Sequence, residues 1–270
     1  MPRMGKNLER YLRTQSMPTL WCPGCGHGAI SRAILNALDS LELDPEQVVV
    51  LGGIGCSGRT PFYVNTNAMH TTHGRALAFA TGVKLGRPGL TTIVTMGDGD
   101  AVGIGGNHFI HACRRNIDLT AVIYNNGIYG MTGGQVAPTT PFDRKSTTTI
   151  YGSIDTPFDI AELALAAGAS FVARGTTYDF EEIPALIAKA IEHKGFSVVE
   201  ILTHCPTYYG RLNSLGGAIE MLDYERDTTF QASSPSREEV VGKKEVGILR
   251  DRADEDYGSR YRAMCEAVRG

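Results

Sequence analysis

Apolar residues recur along this chain in two rhythms. Residues 29–38, 74–85, 105–114, 160–167 and 180–192 carry them at helical spacing. Between these segments lie short apolar runs at 47–51, 91–96, 119–124, 170–173 and 197–202, of strand length and rich in β-branched residues. Unbroken apolar character, with no polar residue at every second position, is what a strand covered on both faces requires. Strands alternating with helices predict an α/β fold, a mostly parallel sheet with helices on both faces. Beyond residue 205 the periodicity fades, and the last third of the tail is dense in charge. The chain is therefore expected to form one domain over 1–205 and an extension over 206–270 that contacts another subunit.

The strand ends hold the chemistry. Glycine makes up 32 of 270 residues and clusters in loops starting at Gly52, Gly97 and Asn125, each after an apolar run. Ligands of open parallel sheets sit beyond the carboxyl ends of the strands, so these loops are predicted to share one rim. Asp98 and Asn126 stand 28 positions apart, room for a helix and the next parallel strand. The Asp98 carboxylate, the Asn126 amide oxygen and the Ile128 carbonyl are hard ligands suited to Mg²⁺ or Ca²⁺ holding a diphosphate. Gly97 and Gly99 let backbone N–H groups approach phosphate oxygens, and the following helix can aim its N-terminus there. Taken singly, Gly-Asp-Gly and Asn-Asn-Gly are also ordinary turns.

Six cysteines in a chain whose N-terminus lacks the apolar core of a secretory signal point to metal or redox chemistry, not disulfides. Cys22 and Cys25 form a CxxC with an intervening Pro-Gly; Cys56 and Cys205 each follow a strand. Four such thiolates suit zinc or a 4Fe–4S cluster, and the residues alone leave both open. Cys113 and Cys265 read as ordinary residues. A net charge of −3 without a basic face argues against nucleic acid, and the apolar runs are too short to span a bilayer. A cytoplasmic location is expected.

The Asp98 and Asn126 motifs together resemble the thiamine-diphosphate fingerprint, a GDG triplet followed at this spacing by NN. In order, WCPGCGHG (21–28), GIGCSGR (53–59), HTTHGRALAFATGVKL (70–85), GDGDAVGIGG (97–106) and NNGIYGMTGGQVAPTTP (125–141) resemble the β subunits of 2-oxoacid:ferredoxin oxidoreductases. The resemblance covers about residues 21–140, with Cys205 as an outlying point. It implies a thiamine-diphosphate-binding fold, Mg²⁺ on Asp98, Asn126 and Ile128, and one 4Fe–4S cluster on Cys22, Cys25, Cys56 and Cys205. The cofactor is expected against Gly97, Asp98, Gly99, Asp100, Asn126 and Ile128, with Gly130, Met131, Thr132 and Gly133 over the diphosphate and Cys56 nearby. Thiamine diphosphate stabilises the carbanion left when a 2-oxoacid loses CO₂. A nearby cluster takes the electrons, coenzyme A the acyl group, and an external ferredoxin receives the electrons.

The same resemblance implies an α subunit carrying the pyrimidine-binding domain and the activating glutamate, in an (αβ)₂ assembly. Arg59 is a candidate partner for a substrate carboxylate, or else a solvated loop residue. His73 is a candidate proton donor or anchor, or else a helix-capping residue. Met131 departs from the polar residue that some pyruvate-specific relatives carry. With Arg59 it favours 2-oxoglutarate over pyruvate as substrate. A pyruvate-specific member, a cluster-free thiamine enzyme half and a zinc-stabilised scaffold are the alternatives.

Overall fold

The computed structural model describes residues 8–231 and 240–269. In chain order the elements are α1 (Leu8–Tyr11), α2 (His27–Ser40), β1 (Val48–Gly52), α3 (Thr60–Tyr63), β2 (Asn67–His70), α4 (Ala76–Gly86), β3 (Thr91–Gly97), α5 (Gly106–Arg115) and β4 (Leu119–Asn125). There follow β5 (Ile128–Tyr129), β6 (Gln135–Val136), α6 (Ile160–Ala166), β7 (Phe171–Thr176), α7 (Ile183–Glu192), β8 (Phe196–Leu202), α8 (Ala218–Asp227), β9 (Thr229–Gln231), β10 (Lys244–Asp251) and α9 (Tyr257–Arg269).

Eight strands form one sheet in the order β2-β1-β3-β4-β8-β7-β10-β9. From β2 to β7 every pairing is parallel. Burial on both faces explains the unbroken apolar runs. Val48 and Val50 of β1 face a core layer with α2 and α7, whereas Val49 and Leu51 face a layer with α4, α5 and α6. The same alternation divides Val172 from Phe171 and Ala173, and Val198 from Val199. Among the described residues no helix is long and apolar enough to cross a membrane.

Each of the five apolar runs is a strand of this sheet. The segments the pattern leaves out have physical reasons for being silent. β2 is an exposed edge strand without an apolar face. β5 and β6 are two-residue strands of a separate antiparallel hairpin. β10 pairs antiparallel with β7, with a register irregularity between Ile248 and Arg250, so part of the charged tail completes the chain's own sheet. Its residues are mostly half-buried, and that blurs a period-two signal. A π turn (Gly99–Gly103) also separates Gly-Asp-Gly from α5, which begins within one residue of the helix expected over 105–114.

Candidate functional site

β1, β3 and β4 are neighbours in the sheet, so the loops leaving their carboxyl ends lie side by side. After β1 the chain moves outward to β2 and returns on the other side as β3, the reversal that opens a crevice between loops. A cleft of about 130 Å³ lies there.

Asp98 closes one side of the cleft. Its Oδ2 accepts the Gly127 N–H at 3.0 Å and the Thr139 hydroxyl, so the GDG and NNG loops touch. Burial raises this carboxyl to about 6 despite those hydrogen bonds. Asn126 Oδ1 accepts the Ile128 N–H at a long 3.3 Å. Tyr129 from the hairpin lies so close to Gly99 that a side chain there would overlap its ring, and its hydroxyl donates to the Gly99 carbonyl at 3.2 Å.

Asp100 ties three loops together. Its Oδ1 accepts the Gly74 N–H at 2.7 Å and the Ile54 N–H at 3.3 Å, and lies 2.5 Å from His73 Nδ1. Burial is the main cause lifting its carboxyl above the ordinary range. Its Oδ2 is buried without a partner and sits where a side chain at Gly53 would be. Ser57 Oγ is likewise buried and unpartnered. Both residues line the cleft. Unsatisfied polar atoms in its walls, with glycines where side chains would collide, fit a polar ligand held closely by backbone. Among the described residues lining the cleft there is no lysine or arginine.

Of the sequence-predicted residues, Cys56, His73, Gly97, Asp98, Gly99 and Asp100 line this cleft, joined by Asn126, Ile128, Gly130, Met131 and Thr132. Gly133 lies just beyond, in the hairpin turn with φ 119°. Arg59 is not in the lining; its guanidinium stands 5.7 Å from the Phe62 ring centre. Sequence reasoning missed His27, Ser57, Tyr129 and Thr139. His27 lies within the quoted GCGHG stretch, whereas Thr139 reaches Asp98 only through the fold.

The cysteines gather on the adjoining wall. A Cβ at Gly130 would lie 3.6 Å from Cys205 Sγ and 3.7 Å from Cys56 Sγ. Burial pushes the Cys25 thiol up to about 12, and the nearby Cys205, Cys56 and Cys22 add to this. Burial also lifts Cys56 to about 11, with Cys205 and Cys22 contributing. The CxxC turn is closed by the Cys25 N–H donating to the Cys22 carbonyl at 3.1 Å, and the Trp21 indole N–H donates to the Cys56 carbonyl at 2.7 Å. Cys25 Sγ is 3.2 Å from Nδ1 of His27, whose imidazole burial holds down to about 3, helped by His204. Cys113 is buried in α5, within the apolar core. Among the described residues no three His, Cys, Asp or Glu side chains form a ready-made single-ion site.

A buried ion network stands behind the NNG loop. Asn125 Nδ2 donates to Glu200 Oε1 at 2.7 Å, and Arg174 Nε donates to Glu200 Oε2 at 2.7 Å. Arg174 also pairs with Asp159 and donates to the Glu245 carbonyl on β10 at 3.2 Å. On the outer surface, the loop after the hairpin exposes Tyr151 and Ile154 at 93% and 84%. It is held by backbone bonds from Asp143 to Ser153, Ser153 to Arg144 and Thr147 to Gly134.

Residues 53–201 match the family described as thiamine pyrophosphate enzyme, C-terminal TPP binding domain. The 2-oxoglutarate synthase subunit KorB of Archaeoglobus fulgidus is 58% identical over 259 residues, covering 96% of this chain and 94% of the relative. Its counterpart in Methanocaldococcus jannaschii is 44% identical over 263 residues, covering 96% and 97%. Among solved structures, the 2-oxoglutarate:ferredoxin oxidoreductase of Magnetococcus marinus, with 2-oxoglutarate, coenzyme A and succinyl-CoA bound, superposes with a TM-score of 0.88 at 33% identity. That match covers 100% of this chain and 92% of the other.

Proposed function

Because this chain belongs to the thiamine-diphosphate-dependent 2-oxoacid:ferredoxin oxidoreductases as a β subunit, we propose that it serves a 2-oxoglutarate-specific enzyme. The reaction joins 2-oxoglutarate, coenzyme A and oxidised ferredoxin to give succinyl-CoA, CO₂ and reduced ferredoxin, and runs reversibly. One observation carries the reading: Cys56 and Asp98 line the same cleft, and Cys205 flanks Gly130 in its wall. A diphosphate loop and a thiolate cluster thereby share one wall. A decarboxylase alone has no use for that arrangement.

Bound thiamine diphosphate would supply carbanion stabilisation and a bound cluster one-electron acceptance. The chain's own residues do the rest. Asp98 and Asp100 bring carboxylates into a cleft without lysine or arginine, so an anionic diphosphate requires a cation to join them. Asp98, the Asn126 amide and the Ile128 carbonyl are the oxygen donors for Mg²⁺, which typically takes one or two carboxylates plus phosphate oxygens. Asp100 fixes Nδ1 of His73 and leaves Nε2 to hold or move a proton at the mouth of the cleft. Cys22, Cys25, Cys56 and Cys205 are the ligands for one 4Fe–4S cluster and would lose their protons as iron binds, Cys25 and Cys56 against the rise that burial gives their thiols. Free cysteines and such a cluster suit the cytoplasm.

Choice of 2-oxoglutarate rests on the relatives named for it, since Arg59 stands outside the cleft lining. An α subunit would bring the pyrimidine-binding domain and activating glutamate, docking over Tyr151 and Ile154, which stand exposed in a largely polar loop, in an (αβ)₂ enzyme. The decisive experiment isolates the αβ complex anaerobically and assays metal, sulfide and thiamine, then compares turnover of the two oxoacids with ferredoxin. About four iron and four sulfide per β chain are expected, with magnesium, thiamine diphosphate and a preference for 2-oxoglutarate. A colourless complex holding zinc, or one preferring pyruvate, overturns the proposal.

A further inference from the structure

Cys22 and Cys25 sit in one local turn, whereas Cys205 arrives much later in the chain, just after the inner strand β8. Their relative position must be set by contacts across the fold. His204, the residue before Cys205, is 5% exposed. Its Nε2 lies 2.8 Å from the carbonyl oxygen of Gly24, the glycine of the CPGC turn. A carbonyl only accepts, so Nε2 carries the hydrogen and donates it. On its other side, Nδ1 lies 2.8 Å from Glu225 Oε1 near the end of α8. Glu225 is also 5% exposed. Its Oε2 accepts the Thr177 hydroxyl at 2.8 Å and the Tyr178 N–H at 3.0 Å.

Packing seats the same turn independently. Gly24 has φ 76°, and a Cβ there would stand 2.9 Å from the Cβ of Ala218, the first residue of α8. At Gly26 a side chain would overlap the Thr203 hydroxyl at the end of β8. The CPGC turn is thus braced by the chain on both sides of Cys205. None of His204, Glu225 or Thr177 lines the cleft. Two buried polar side chains add what an apolar pair filling the same space would not, namely direction.

We infer that His204 and Glu225 form a clamp that sets the CPGC turn against Cys205, making them positioning residues for the four-sulfur set. The inference rests on the cluster reading above and gives α8, within the extension after residue 205, a specific task. It predicts that cutting the clamp loosens the turn and the cluster before it disturbs the diphosphate half of the site.

The test uses the anaerobic αβ complex. His204→Phe removes both hydrogen bonds, and Glu225→Leu cuts the α8 side without altering the neighbour of Cys205. Glu225→Gln keeps the shape and an amide able to bond the imidazole. Iron release to a ferrous chelator and exchange of the Cys25 amide should both quicken about tenfold in the first two variants. Thiamine diphosphate content should be unchanged, and Glu225→Gln should stay within about twofold of wild type. If His204→Phe does not fold, Glu225→Leu decides. Equal iron release and exchange in folded variants and wild type overturns the clamp alone. So does loss of thiamine diphosphate and thermal stability in step with iron. A wild-type complex without iron overturns the cluster reading and the clamp with it.

Discussion

Asp98, the proposed cation ligand, shows how such a role would conflict with stability. Its hydrogen bonds to Gly127 and Thr139 do not offset its desolvation, and no lysine or arginine among the described residues lines the cleft beside it. Asp98→Asn keeps the shape and removes the buried charge. Thermal melting of the cofactor-free protein should show equal or higher stability, while thiamine diphosphate affinity with magnesium, read by titration, falls about 100-fold or more. Gly99 illustrates steric demand instead. Gly99→Ala drives a Cβ into Tyr129 and should cost about 1–3 kcal/mol, with Tyr129→Ala in the same chain restoring part of it in a denaturation series. Asp98 and Asn126 could be picked out beforehand because strand-end position and spacing along the chain define them. Thr139 and Tyr129 could not, since each meets its partner through space with no local pattern to mark it.

Among elements, the network on β7, β8 and the start of α6 holds Asn125, at the head of the NNG loop, by the hydrogen bond to Glu200. Glu200 and Arg174 are buried together, so losing Arg174 strips Glu200 of its cation, whereas losing Glu200 leaves Arg174 with the half-buried Asp159 alone. Arg174→Met should cost about 3–5 kcal/mol by chemical denaturation, Glu200→Leu less because Asp159 still pairs with Arg174, and the double variant less than Arg174→Met. The double variant still strips Asn125 of its acceptor and should bind thiamine diphosphate more weakly. Burial alone would raise the Asp159 carboxyl, but Arg174 and Lys244 outweigh it and hold it below the ordinary range. A depressed carboxyl contributes stability that is present above its unfolded pKa and lost as pH falls through the folded value. Melting midpoints of wild type should therefore drop below about pH 4, and Asp159→Asn should lower the neutral plateau and flatten that acid limb. An unchanged acid limb would remove Asp159 from the account. The strands of this network were evident from their apolar runs; the ion pairs were not, because Arg174 and Glu200 are isolated polar residues in otherwise apolar strands.

At the scale of the whole molecule, the sheet brings the GDG and NNG loops, Cys56 and Cys205 to one rim and leaves Tyr151 and Ile154 exposed in a largely polar loop. Exchanging Tyr151 and Ile154 for serine should weaken α-subunit association about tenfold or more in sedimentation measurements. The β chain's melting should be unaffected, as both side chains are exposed. Undiminished association would move the interface elsewhere. The α/β architecture, the five inner strands and the oxygen-donor loops follow from linear order, because hydrophobic period and glycine placement are local properties of the chain. Packing alone chose the rest. It joined β10 to β7, set His204 between Gly24 and Glu225, and turned Arg59 toward Phe62. Such contacts join residues far apart in sequence or depend on how side chains share space, and no repeat along the chain encodes them.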